Sequence, residues 1–152
     1  MAHRMKNKNT TNALDRGSKK YWLPMPRRNS QSIILQCRIA LEALRHDRGS
    51  LIEAQCLAHA VILTSMLSQQ GFGKLDPAVI EGAEEDILAM LERGGSTGEW
   101  HFPPAGFARL VDVVNEHDRQ LREVRLSALI VCNDRLQGFI ESIMRNPPAR
   151  GD

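Results

Sequence analysis

The chain has 152 residues, of which 42% are hydrophobic and 25% are charged, and its formal net charge at pH 7 is +2. These proportions are those of a globular protein and exclude a chain that is disordered throughout. No run approaches the roughly 18 uncharged apolar residues of a membrane-spanning helix, and no apolar segment follows the basic N-terminus as it would in a secretory signal. We therefore expect one ordinary domain in the cytoplasm, with a sizeable core and no membrane contact.

The charge is divided unevenly along the chain. Residues 1–28 hold eight Lys or Arg side chains and one acid, a net charge of +7, whereas residues 29–152 hold twelve basic and seventeen acidic side chains, a net charge of −5. The chain up to about Ser18 lacks apolar periodicity, which is typical of a mobile segment. The sequence thus predicts a basic, partly disordered N-terminal arm over 1–28, a single helical domain over 29–145 and a disordered tail over 146–152.

The second half of the arm combines aromatic, apolar and basic side chains. Two prolines in the run from Tyr21 to Pro26 disfavour a helix and favour an extended path, in which Trp22 and Leu23 would fill a groove of the helical body. The alternative is a nucleic-acid interface, because cations contact phosphates and aromatic rings stack on bases. The candidate residues for such an interface are Lys19, Lys20, Tyr21, Trp22, Arg27 and Arg28.

Helix signals begin directly after the arm. Asn29 or Ser30 can cap a first helix that ends near His46. Ser50 and Glu53 have the spacing of a capping box, which opens a second helix. The apolar side chains of this second helix cover more than one face, so we expect it to be the most buried helix of the domain.

Glycines and prolines mark the next boundaries. Gly71 and Gly73 are predicted to end the second helix. Asp76 followed by Pro77 is a cap with proline at the first helical position, which starts a third helix. Gly94-Gly95 is predicted to stop that helix, and its acidic side chains are interpreted as a solvated face.

The last and longest periodic stretch runs from Phe107 to Ile143 without a proline. The connection before it carries Trp100 and Phe102, which we expect to pack back onto the core. A straight helix over the whole stretch would reach roughly 55 Å, longer than a compact domain of this size needs. We therefore expect a kink or short break near residues 124–126; the alternative is a straight rod that protrudes and dimerises.

Together these segments predict an all-α fold. We expect an antiparallel, bundle-like domain of four or five helices, with an extended basic N-terminal arm. Its three cysteines, Cys37, Cys56 and Cys132, fall on or beside apolar stripes. That placement is typical of buried free thiols in a reducing compartment.

The sequence offers little for catalysis. Three pairs could each supply two metal ligands: Cys56 with His59, Glu42 with His46, and His117 with Asp118. A zinc or iron site needs three or four converging ligands. None of these pairs is accompanied by a second pair at the spacing of a recognisable metal-binding motif. Nucleophile-elbow, Walker and dinucleotide-binding patterns are absent from the sequence. We predict no catalytic residues, metal, cofactor or small-molecule substrate, and hence a protein that is not an enzyme.

A helix-turn-helix is a further possibility to weigh. The turn at residues 47–49 has the length that this motif requires. The helix after it, residues 51–69, contains neither Lys nor Arg and is mostly apolar, so it does not qualify as a recognition helix. Contact with nucleic acid is therefore assigned to the arm.

Three stretches carry a resemblance to a known family: ALDRGSKKYWLPMPR at 13–27, LEALRHDRG at 41–49 and DRQL at 118–121. They are similar to a family of small proteobacterial proteins often identified as Fis-like transcriptional regulators, and the similarity covers most of the chain. The Fis protein itself implies a C-terminal helix-turn-helix of short helices with a basic tail. This chain instead has a long amphipathic stretch there, so no residue role is carried over.

Two functions of different class follow. The first is a bacterial, non-enzymatic interaction protein that associates with DNA through its basic arm, as an accessory protein or transcriptional regulator. The second is a homodimeric adaptor that recruits another protein through an apolar helix surface and has no nucleic-acid role. The first predicts salt-dependent DNA binding with weak sequence specificity. The second predicts that removal of the arm alters oligomeric state or stability.

Overall fold

The computed structural model describes residues 19–146, and within them the chain is all-α and bundle-like, as predicted. Five long helices follow in order: α1 Arg27–Arg45, α2 Leu51–Leu67, α3 Pro77–Thr97, α4 Pro104–Glu123 and α5 Leu126–Arg145. A π-helical turn, Ser68–Phe72, extends α2, and residues 19–22 are also helical. The disorder predicted up to Ser18 and over most of the C-terminal tail lies outside the described residues.

Helix α2 is the centre of the bundle, because α1, α3, α4 and α5 all pack on it. Its buried side chains are Ala54, Leu57, Ala58, Ala60, Val61, Leu63, Thr64 and Leu67. This burial on several faces confirms the prediction made from its apolar composition. The predicted capping box is present as well: the Ser50 side chain accepts from the start of α2, and the Ser50 backbone N–H donates to Glu53.

The segment Leu51–Phe72 is the one helix among the described residues that is long and apolar enough to cross a membrane, with a mean hydropathy of 1.4. Burial at the centre of the bundle also accounts for this apolar composition. A helix surrounded by other helices must be apolar on every face that they cover, just as a helix in lipid must.

Val124 and Arg125 break the last periodic stretch into two helices. Val124 is extended (φ −80°, ψ 137°), and its β-branched side chain is buried with 3% exposure in a small core cluster with Leu121 and Leu129. The break turns α5 back onto α2. The expected break is therefore confirmed, and the straight rod is wrong.

Several predicted boundaries need correction. Helix α1 begins at Arg27, because Pro26 stands at the N-cap; Ser30 lies inside the first turn and its hydroxyl donates to the Arg27 carbonyl. Asp76 and Pro77 start α3 as predicted. That helix continues past Gly94-Gly95 and ends only at Gly98, which adopts the left-handed conformation (φ 77°) that glycine tolerates.

Gly94 has a packing role that sequence reasoning mistook for a helix stop. It is buried, and a Cβ at this position would overlap the six-membered ring of Trp100. Trp100 and Phe102 are half-buried against the main core, as expected. The glycine is therefore required by the indole that folds back onto α3.

The path of the arm also differs from the prediction. Residues 19–22 are helical, and the extended path is confined to the few residues before α1. Trp22 and Leu23 fill no groove, since they are 66% and 61% exposed. Met25 takes that place instead, half-buried against the cluster that contains Val124.

Candidate nucleic-acid interface and apolar helix face

The junction between α4 and α5 holds the end of the arm. The Leu126 backbone N–H donates to the Leu23 carbonyl at 2.8 Å, and an isolated antiparallel bridge pairs Pro24 with Arg125. The Arg125 guanidinium carbon lies 5.4 Å from the ring centroid of Trp22 and 5.5 Å from that of Phe72. Both distances are within cation–π range. Trp22 is therefore held at the surface by contacts to α5, although most of the ring stays exposed.

The six residues predicted for a nucleic-acid interface are all exposed. Lys19, Lys20 and Tyr21 precede Trp22 in the helical residues 19–22, and Arg27 and Arg28 form the first turn of α1. The short extended connection between the two groups crosses the start of α5. Cations and aromatic rings thus flank one junction of the fold.

Two helix N-termini meet at the same place. Arg125 is the N-cap residue of α5, and its bridge partner Pro24 lies three residues before the first residue of α1. Neither helix has an acidic residue in its first turn or a side-chain cap. Helix N-termini carry a partial positive charge, and acids usually balance it. Here Arg27 and Arg28 begin α1 and Arg125 is the N-cap of α5, so the local electrostatic field favours an anion.

Sequence reasoning missed two residues of this surface, Arg122 and Arg125. Arg122 lines a shallow hollow with Met25, Arg27 and Ser30, and its Nε donates to Asp118 Oδ1 at 3.1 Å. Both arginines are roughly a hundred residues away from the arm along the chain. A weak signal existed for Arg125, which interrupts the apolar phase of the last periodic stretch.

Phe72, which shares Arg125 with Trp22, is positioned by a second arginine. Arg119 Nη2 donates to the Phe72 carbonyl at 2.6 Å and to Glu116 Oε1 at 2.6 Å. Glu116 also accepts from the Lys74 backbone N–H at 2.8 Å. Burial by itself raises the pKa of Glu116, but the hydrogen bonds from Arg119 and Lys74 outweigh it and lower that pKa.

The pairs weighed as metal ligands do not converge. Within residues 19–146 there is no group of three or more His, Cys, Asp or Glu side chains that could hold a metal ion. His59 Nε2 is paired with Asn133 Oδ1 at 3.1 Å, and His46 forms an exposed pair with Glu42 at 3.4 Å. His117 is buried with 1% exposure; desolvation, assisted by the charge of His59, lowers its pKa to about 4.

The C-terminal half of α5 presents an uncovered apolar face. The stripe that buries Leu129, Cys132 and Leu136 continues along the same side of the helix, but Phe139 and Ile143 are 58% and 45% exposed. The stripe also includes Ile140, and Met144 flanks it. α5 packs mainly on α2, and beyond Leu136 every described residue of α5 is exposed. An exposed apolar stripe of this length is typical of a contact surface.

Comparisons of the chain with protein-family models, with curated proteins and with solved structures found no match. The Fis-like resemblance of residues 13–27, 41–49 and 118–121 stays a prediction.

Proposed function

We propose that the protein is a non-enzymatic, cytoplasmic, DNA-associated accessory protein or transcriptional regulator that binds DNA through its basic arm and the α4–α5 junction. The observation that carries the proposal is the placement of Trp22. Trp22 is 66% exposed and follows the exposed Lys19 and Lys20 in the chain, while Arg125 lies over its ring. An exposed Trp held in place among cations suits contact with both the bases and the phosphates of a nucleic acid.

The chemistry of the surface sets the expected mode of binding. Lys and Arg side chains and two helix N-termini neutralise phosphates without reading a base. α2, which follows the short turn at residues 47–49, contains no Lys or Arg and does not qualify as a recognition helix, so specificity for sequence should be weak. Affinity should fall steeply with salt, by a log–log slope of about −0.9 for each phosphate contact.

A fluorescence-anisotropy titration with a labelled random-sequence duplex tests the proposal. The full-length chain is compared with a chain that begins at Tyr21 and with the variant K19E/K20E, each at two salt concentrations. The matched control is R48E/R135E, which makes the same change in net charge at two exposed sites away from the junction. We expect K19E/K20E and the truncated chain to lose most of the affinity and R48E/R135E to keep it. Equal losses of affinity in the two double variants would show that binding depends only on net charge, and would refute a defined site.

A second candidate function rests on a different observation, the exposed stripe of α5. A homodimeric adaptor that self-associates through Phe139, Ile140 and Ile143 would bury this apolar surface. Light scattering of F139E/I143E tests it against I130E, whose side chain lies on another side of α5 by helical spacing. A dimer that F139E/I143E converts to a monomer and I130E preserves supports this candidate. A full-length chain that is monomeric at high concentration excludes it.

A further inference from the structure

One face of α4 holds the π-helical turn that ends α2. Arg119 Nη2 and Gln120 Nε2 both approach the Phe72 carbonyl, at 2.6 Å and 3.5 Å. Glu116, one turn earlier on α4, accepts from the Lys74 backbone N–H at 2.8 Å. The last carbonyls of a helix have no donor within that helix and must find one elsewhere. Here α4 supplies the donors, so the turn that contains Phe72 is attached to α4.

Gln120 is an unfavourable residue for its position if packing alone is considered. It is completely buried, with 0% exposure, and its Oε1 has no hydrogen-bond partner among the described residues. A buried polar atom without a partner destabilises a fold, and an apolar side chain of similar size would avoid this loss. What Gln120 contributes is its amide nitrogen, which also lies 3.4 Å from the Thr64 carbonyl and 3.3 Å from Ser68 Oγ. All of these acceptors belong to the end of α2 and its π-helical turn.

The ring of Phe72 extends this arrangement to the arm. Its centroid lies 5.5 Å from the Arg125 guanidinium carbon, which in turn lies 5.4 Å from the ring centroid of Trp22. Arg125 and Trp22 are both exposed, and exposed side chains keep their rotamer freedom unless a neighbour restricts it. A displaced Phe72 would leave Arg125 free to change rotamer, and the indole would lose a contact that holds it. Contacts of known geometry thus lead from the buried Gln120 to the exposed Trp22.

We propose that Gln120 is a positioning residue for Trp22. It acts through the Phe72 carbonyl and the π-helical turn, which keep the Phe72 ring against Arg125 and so restrict the motion of the indole. A ring that is already held in one orientation stacks on a base with a smaller loss of rotamer entropy. The consequence for DNA affinity rests on the proposed function, whereas the restriction of Trp22 does not.

A positioning role separates Gln120 from the cations of the interface. Gln120 is buried and uncharged, so it contacts no phosphate. A less ordered indole weakens stacking on bases, whereas the number of phosphate contacts is unchanged. Gln120→Met should therefore lower the affinity for a labelled single-stranded oligonucleotide several-fold at each salt concentration and keep the log–log salt slope of the parent chain. Loss of Arg125, in contrast, should reduce that slope.

Fluorine NMR of the full-length chain labelled with 5-fluorotryptophan observes the indole directly and needs no nucleic acid. The chain has two tryptophans, so two resonances are expected, and W22F assigns one of them. Gln120→Met removes the amide donors with little change in side-chain length. In this variant the Trp22 resonance should narrow and move toward that of 5-fluorotryptophan in a short peptide, while the Trp100 resonance stays in place. Gly94→Ala is the matched control, since it disturbs Trp100 and should leave the Trp22 resonance unchanged.

Arg119→Lys is a second variant, because it removes the guanidinium that donates to the Phe72 carbonyl and keeps a positive charge beside Glu116. It should move the Trp22 resonance in the same direction. Circular dichroism verifies that each variant retains the helical fold. A Trp22 resonance at the parent position in both variants, or equal movement of Trp22 and Trp100, would overturn the proposal. A shifted Trp22 resonance in a chain whose parent binds no DNA would support the positioning role and refute the proposed function.

Discussion

Arg125 lies over Trp22 at 5.4 Å and joins residues that are about a hundred positions apart in sequence. The contact is coupled to the backbone, because Leu126 N–H donates to the Leu23 carbonyl beside it. Phe72 approaches the same guanidinium at 5.5 Å. The arm, the π-helical turn and the start of α5 therefore share one cation, which places an exposed indole at a fixed position on the surface.

Replacement of Arg125 by Ala should weaken DNA binding but reduce the stability of the fold only slightly. A cation–π contact at an exposed site is worth roughly 0.5–1 kcal/mol, so loss of the contacts to Trp22 and Phe72 should lower the free energy of unfolding by no more than about 2 kcal/mol. DNA affinity should fall and the salt slope should decrease by about one phosphate contact. Urea unfolding and anisotropy titrations measure the two quantities. R135A, an exposed arginine on the same helix, should change neither; a similar loss of affinity in R135A would contradict the assignment of Arg125.

Glu116 should be the carboxylate whose loss costs most stability. It is 7% exposed, pairs with Arg119 and accepts from the Lys74 backbone N–H. Glu116→Ala leaves that amide without its acceptor, while the partly buried Arg119 keeps Glu123 and the Phe72 carbonyl as acceptors. A buried donor without its acceptor costs about 1–3 kcal/mol, so Glu116→Ala should lower the free energy of unfolding by about that amount. Glu141→Ala is the control, because its pair with Arg145 is 3.9 Å long and exposed, and it should be near neutral. Equal midpoints of urea unfolding for the two variants would refute the prediction.

His117 should make the fold sensitive to mild acid. Its pKa is about 4 in the folded chain and about 6.5 in a model peptide. Between these values the unfolded state binds more protons, so the free energy of unfolding decreases as pH falls from about 6.5 to about 4. The full loss is about 3 kcal/mol, at about 1.4 kcal/mol per pKa unit.

The acid response is measured by urea unfolding at a series of pH values above 4.5, where the carboxylates with lowered pKa are still ionised. His117→Gln should have a flatter profile across this window than the parent chain. His46→Gln, at an exposed position, should keep the parent slope. An unchanged slope in His117→Gln would assign the acid response to other groups.

Neighbouring glycines in α3 should respond to the same substitution with opposite sign. A Cβ at Gly94 would overlap Trp100, whereas a Cβ at Gly95 meets no atom within 4 Å. Gly94→Ala overpacks the contact and should destabilise by about 1–3 kcal/mol. Gly95→Ala reduces the entropy of the unfolded chain in a helical position and should stabilise by about 0.5–1 kcal/mol. Thermal unfolding should place the two variants on either side of the parent; two shifts of one sign would be inconsistent with this packing.

Part of the candidate interface was predictable from composition. The cluster of Lys19, Lys20, Arg27 and Arg28 around Tyr21 and Trp22 is visible as charge and aromaticity in a short run of sequence. Arg122 and Arg125 were not predictable as members, since nothing local relates them to the arm. The exposure of Trp22 was also wrongly predicted, because the propensity of an apolar side chain for burial does not say whether a groove is available.

The sequence by itself determined the helices, and tertiary structure decided what their ends and faces do. Periodicity and local capping are short-range effects, so neighbouring residues were enough to predict several features. These features are helix α2, its Ser50 cap, the start of α3 at Asp76 and the break near Val124. The packing of Trp100 against Gly94 and the placement of Arg125 over Trp22 depend on contacts between segments that are distant in sequence. The same is true of the α5 stripe: its period predicts an apolar face, but only the packing of α5 on α2 decides that Leu136 is covered and Phe139 is left in solvent.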